Sequence, residues 1–348
     1  LRNVIRTVLV IGLAVGLLAV FLRGADFSQV WSAVASARKD FLALSLGLTA
    51  LTFLVRAERW QYLLSPLGPT RFRTCFRTTV IGFAASAVLP ARAGEVIRPY
   101  LLARQEKLKA TAAFATILVE RILDLVAVLL LLLAFMLWFD PGVEARDSRV
   151  FGAIRFGSLA MAPIAVAALA LMFFMAGHPE RLHAWLLKAE AILPAKIAAA
   201  MARLAQTFAE GFAVVRSPQR LVAAMAWSIV LWMSIAAGIW AVAVAFGIQM
   251  PFTGGWLMLA PLVVGVAVPT PGGVGGFHEA FRVGATSFFG ADNDVAVGAA
   301  IVLHAISVGP VTVAGLLFII QDGLKLGGMM KMSNDDQMEG LSNVQGSE

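Results

Sequence analysis

Cysteine is nearly absent from this chain: among 348 residues there is one, Cys75. An intramolecular disulfide and a multi-thiolate metal site are therefore excluded. Charge is scarce as well, at 14% of residues against roughly 25% in soluble domains. Histidine occurs four times, at 178, 183, 278 and 304, without metal-ligand spacing. No G-x-x-x-x-G-K-[ST] phosphate loop is present, so this chain does not use ATP. The stretch HEAF is not H-E-x-x-H, and GGVGGF lacks the last glycine of G-x-G-x-x-G. No cofactor, no metal and no nucleic-acid partner are expected.

What fills the chain instead is apolar: 59% of residues are hydrophobic. Runs of about 20 such residues recur, each long enough to cross a hydrocarbon layer about 30 Å thick. The sequence predicts an all-α polytopic membrane protein. Full spans are expected at Val4–Leu22, Phe41–Arg56, Thr111–Phe139, Gly152–Ala176, Leu221–Phe246 and Val295–Ile320. In the first, Arg2 and Arg6 precede the apolar run Val8–Leu22, no A-x-A cleavage pattern follows, and the segment reads as a retained helix. Phe27–Ala37 reads as a short interfacial helix on the outer side. Residues 178–220 read as amphipathic helices at the cytoplasmic interface, and 321–348 as a disordered cytoplasmic tail.

Basic residues orient the chain. With the N-terminus cytoplasmic, 20 Lys and Arg fall on that side and 7 on the other, while Arg121 lies inside a span. This bias favours both termini on the cytoplasmic side of a bacterial-type inner membrane.

Two apolar stretches are broken by Pro/Gly elements. The first runs GFAASAVLP into ARAGEVIR and contains Pro90 and Gly94; the second runs LMLAPLVVGVAV into PTPGGVGGFHEAFR. Its Pro269 and Pro271 end a helix, and Gly272, Gly273, Gly275 and Gly276 open backbone conformations closed to other residues. Backbone freed from a helix cannot face lipid, so each break is buried or lines a cavity. Read as re-entrant hairpins, the two segments enter from opposite faces. The units 41–139 and 221–320 then form an inverted-topology repeat within a single 1–320 domain. The alternative is that either segment makes two short full spans.

Charges sit inside these spans. Glu120, Arg121 and Asp124 lie near the middle of the third expected helix, within an arc of about 100°. Each costs roughly 2.5–3.5 kcal/mol at membrane depth unless it faces protein or a polar cavity. A substrate chamber and an interhelical ion lock both satisfy that requirement. Arg92, Glu95 and Arg98 follow the first break, and the second helix ends in RAERW. Trp60 and Tyr62 suit an interface, and Arg56 and Arg59 either snorkel to phosphate or join a headgroup site. Arginine holds an oxyanion through two parallel hydrogen bonds. Taken with Glu58, Glu95, Glu120 and Asp124, the five arginines are nearly balanced, which suits a headgroup of both signs. Glu279 opens the helix after the second break, as a capping charge or a site residue. His304 is one of few polar side chains in the last helix; it makes an interhelical hydrogen bond or relays protons.

The ordered set RAERW, LPARAGEVIRPYLLAR, VERILDLV and PTPGGVGGFHEAF resembles the lysylphosphatidylglycerol-synthase transmembrane family, flippase-like domains found fused to synthases or alone. The resemblance covers about residues 5–320. It implies lipid handling: aminoacyl-phospholipid in fused members, and polyprenyl-linked or hopanoid-type lipids in stand-alone relatives. It carries substrate binding onto Arg56, Arg59, Arg92, Glu95, Arg98, Glu120, Arg121, Asp124 and Glu279. It does not carry synthase activity, because no acyltransferase-like domain is present. His304 stands where relatives often have arginine. The expected function is a non-enzymatic flippase or scramblase for a polar-headgroup phospholipid or related lipid, with a lipid-synthesising enzyme as an optional partner. The alternatives are an intramembrane transferase on a lipid-linked substrate and an accessory subunit of a lipid synthase.

Overall fold

Long apolar runs close every backbone hydrogen bond within their own helix, and they set the architecture. The structure, a computed structural model, describes residues 2–89, 92–138, 149–177, 212, 217–268 and 270–324. Pro90, Pro269, most of the 178–220 segment and the tail from 325 onward lie outside the described residues. Helices α1 (Arg2–Leu22) and α2 (Phe27–Ser36) come first, with Gly12–Leu22 meeting α2 at 83°. Then follow α3 (Lys39–Leu64), α4 (Phe72–Val88), α5 (Gly94–Glu106) and α6 (Ala110–Trp138). Helix α7 (Arg149–Gly177) precedes α8 (Pro218–Ala245), α9 (Gly254–Ala267), α10 (Gly276–Phe289) and α11 (Asn293–Gln321). No strand occurs among the described residues.

Among the described residues, four helices are long and apolar enough to cross a membrane: α3, the Arg149–Ala167 part of α7, α8 and α11. The bent α1–α2 pair makes a fifth if counted as one span. The remaining expected span, α6, is 29 residues long and carries the three charges. Leu44, Leu51, Leu130, Leu137, Phe156 and Leu317 stand exposed on these helices, the apolar exterior that lipid requires and water would penalise.

The broken segments fold back on themselves. At 17, 13, 14 and 14 residues, α4, α5, α9 and α10 are each shorter than the roughly 20 residues a span needs. α4 instead packs along α5, and α9 along α10. Both pairs close on glycine. A Cβ on Gly94 would run into the Gly82 carbonyl oxygen, and one on Gly276 into that of Gly265. The second break passes through a 3₁₀ turn, Pro271–Gly273, with Gly272, Gly273 and Gly275 all at positive φ. The first has a non-glycine residue, Arg92, at φ 54°.

Packing in the two halves corresponds. α3 touches α4, α5 touches α6, and α4 reaches across to α11. Likewise α8 touches α9, α10 touches α11, and α9 reaches across to α6. Between the halves, α3 lies along α8 in opposite directions. Ser45 Oγ donates to the Gly238 carbonyl at 3.1 Å, Thr52 and Ser234 share a hydrogen bond at 2.8 Å, and Arg59 reaches Ser228 at 2.9 Å. Ascending numbers on one helix meet descending numbers on the other. Three apolar cores result among the described residues. The smallest, of Ile81, Ile97, Leu101 and Ile319, lies between α4, α5 and α11. Of the two larger, one gathers Trp60, Leu63, Leu102 and Leu123, and the other gathers Leu131, Phe135, Leu257, Phe281 and Leu303. Helix α6 contributes to both.

Candidate functional site

Where α6 passes from one core to the other, it presents Glu120 and Asp124 on adjacent turns of one face, four residues apart. Glu120 is fully buried and gathers four guanidinium groups. Arg98, from α5, donates through both Nη atoms to its two oxygens at 3.2 and 3.1 Å. Arg121 donates to Oε1 at 2.8 Å. Arg59 and Arg56, from α3, approach the same oxygen at 3.3 and 3.6 Å. Asp124 takes Arg59 on Oδ1, and on the same atom the Trp232 indole N–H from α8 at 2.9 Å. Arg98 also lies over the Trp60 ring at 3.8 Å, and Arg56 over Phe83 at 4.8 Å. Such stacking offsets part of the cost of moving a guanidinium out of water.

Burial is deep but uneven. Arg59, Arg98, Asp124 and Arg56 are all buried, whereas the Arg121 side chain is 41% exposed. Arg121 is the opening of the cluster. The Nε atoms of Arg56, Arg59, Arg98 and Arg121 are buried without a hydrogen-bond partner, as is Asp124 Oδ2. Among the described residues, the Arg56 side chain has no hydrogen bond; it makes an ion pair with Glu120 at 3.6 Å and lies over the Phe83 ring.

Of the residues expected from sequence, Arg56, Arg59, Arg98, Glu120, Arg121 and Asp124 come together. Arg56 and Arg59 are buried among helices and do not snorkel. Arg92 and Glu95 form a separate half-exposed pair at 3.6 Å, with Arg92 also donating to the Val266 carbonyl of α9. Gly94, beside them, is the crossing point of the first hairpin. Glu58 is exposed. Glu279 pairs with Arg282 one turn along α10, and Arg282 continues to Asn293 at 3.0 Å. That pair has no ion-pair contact with the arginine cluster. His304 hydrogen-bonds the Gly272 carbonyl at 2.8 Å, so it holds the second break in place.

Four residues escaped the sequence reading. Trp60 is no interfacial anchor: it is fully buried and donates to Thr116 at 3.0 Å. Ser228 and Trp232 sit four apart on α8, a spacing that marks one face but names no partner. His278 accepts the Gly275 N–H at 3.3 Å and lies 4.5 Å, ring to ring, from His304.

All residues of this cluster lie within the stretch that matches a known family. The pattern of the lysylphosphatidylglycerol synthase TM region matches residues 5–315. The chain belongs to that family. It is also 28% identical, over 88 residues, to the UPF0104 membrane protein MJ1595 of Methanocaldococcus jannaschii. The match takes in 24% of this chain and spans only about a quarter (26%) of that relative's length. Membership makes this a membrane protein of a lipid-related family. The buried ion cluster joins three of the motif segments, RAERW, GEVIR and VERILDLV, in one place.

Proposed function

We propose that this protein moves a polar-headgroup lipid across a bacterial-type cytoplasmic membrane, as a flippase or scramblase that makes and breaks no covalent bond. One observation carries the reading. Four arginines and two carboxylates converge among apolar helices, closed on most sides and open at Arg121. Ions at that depth are costly, and their usual use in membrane proteins is to line a path for polar cargo. The headgroup enters the cluster and the acyl chains stay in lipid.

The architecture supports alternating access. Packing within α3–α6 recurs within α8–α11, and the lead helices α3 and α8 run antiparallel. That pattern is what an inverted-topology repeat with two re-entrant hairpins produces. The excess of basic residues in the expected cytoplasmic loops favours both termini inside. Movement is downhill or ion-coupled, and a lipid-synthesising enzyme is a natural supplier of the cargo.

Transport is tested in proteoliposomes loaded with a fluorescent phospholipid, reading loss of signal to an impermeant quencher. Wild type is expected to speed movement, and Arg121→Ala to lower the rate by about tenfold or more, the equivalent of one charged hydrogen bond. No movement by wild type, or an unaffected variant, refutes the reading.

A further inference from the structure

The cluster is not electrically balanced. Among the described residues, Arg56, Arg59, Arg98 and Arg121 make ion pairs with Glu120 and Asp124 only, a surplus of two positive charges. Adding the neighbouring Arg92–Glu95 pair leaves the surplus unchanged. Glu58, which would reduce it, is exposed on α3. Arginine does not shed its proton inside proteins, so the imbalance cannot be relieved by titration. An uncompensated buried charge costs several kcal/mol. The surplus is also specific in place. Glu120 and Asp124 already engage Arg59, Arg98 and one Nη of Arg121 through short contacts, whereas Arg56 has only a 3.6 Å ion pair; Arg121 is the half-exposed member. The buried Nε–H groups of both lack acceptors.

We infer that Arg56 and Arg121 hold a phosphate group carrying two negative charges, a monoester or pyrophosphate, while Arg59, Arg98, Glu120 and Asp124 form the scaffold beneath it. A zwitterionic head leaves the surplus uncompensated, and a singly charged phosphodiester halves it. A phosphate monoester carries about −1.5 to −2 at pH 7 and offers three acceptor oxygens to the free guanidinium edges. The inference takes the lipid source from the transport reading, but the site itself stands without it.

The purified, delipidated full chain in detergent is titrated with phosphatidic acid, phosphatidylglycerol and phosphatidylcholine of identical acyl chains, and separately with inorganic phosphate and pyrophosphate. The readout is the shift in thermal unfolding, which reports ligand bound to the folded state. Phosphatidic acid is expected to bind about tenfold or more tighter than phosphatidylcholine, with phosphatidylglycerol between them. Arg56→Gln and, because Arg56 is buried, the half-exposed Arg121→Gln as a second variant, each remove that preference. Equal binding of phosphatidic acid and phosphatidylcholine overturns the inference, as does a preference that survives in both variants. Pyrophosphate matching phosphatidic acid upholds the anion site and removes the lipid as its source. Selective binding in a protein that moves no lipid upholds the site and overturns the transport reading.

Discussion

The two fold-back hairpins share a skeleton and differ in everything attached to it. Each brings two short helices together on a glycine pair, Gly82 with Gly94 and Gly265 with Gly276. Beyond the crossing, α5 sends Arg98 into a buried ion cluster, while α10 sends His278 against His304, Phe21 and Phe277. The first half buries Arg56, Arg59, Arg98, Glu120 and Asp124, though its Arg92–Glu95 pair is 39–41% exposed. In the second half, the ion pair found among the described residues, Glu279–Arg282, is 22–24% exposed and joins no buried cluster. Geometry is repeated, chemistry is not: one hairpin carries the charge and the other secures its own turn.

Replacing the crossing glycines gives the largest expected effects and tests whether the skeleton is shared. Gly94→Val and Gly276→Val each push a side chain into a backbone carbonyl, where overpacking costs at least about 3 kcal/mol. Both are expected to abolish recovery of monodisperse protein in size-exclusion chromatography. Gly47→Val, with nothing within 4 Å, serves as the control. If only one hairpin is sensitive, the correspondence fails.

Charge comes next. Glu120→Gln leaves four guanidinium groups around a neutral amide and is expected to lower stability by about 3–5 kcal/mol in thermal unfolding. Glu279→Gln is expected to cost about 0–1 kcal/mol, since its partner is partly exposed. Equal losses would erase the contrast between the halves. His278→Phe keeps the ring packing and removes the acceptor for the Gly275 N–H, at about 1–3 kcal/mol. Hydrogen exchange at the Gly275 amide is expected to accelerate in that variant while the α4–α5 amides stay unchanged.

Much of this was legible in the residues themselves. Glu120, Arg121 and Asp124 announced themselves because charge within an apolar run has few places to go. The glycine and proline breaks were visible because a helix cannot continue through PTPGGVGG. Partners were harder to read. Nothing local links Ser228 or Trp232 to Asp124, because that contact exists only once α8 lies across α6 and α3. Trp60 near a helix end looks like a headgroup anchor, and only packing against Thr116 and Arg98 places it inside. Glu279 was grouped with the site by its motif, yet Arg282 one turn away satisfies it locally.

The contact between α3 and α8 carries a mechanical consequence. Its fastenings are small: Ser45 on Gly238, Thr52 on Ser234, Ser228 under Arg59. Interlocked leucines would resist shear; here hydroxyls and a glycine share the face with one edge-on ring pair, Phe41 and Trp240, at 5.8 Å. The proposed alternating access would have to shear these few hydroxyl contacts and slide that ring pair, while leaving the packing within each half untouched.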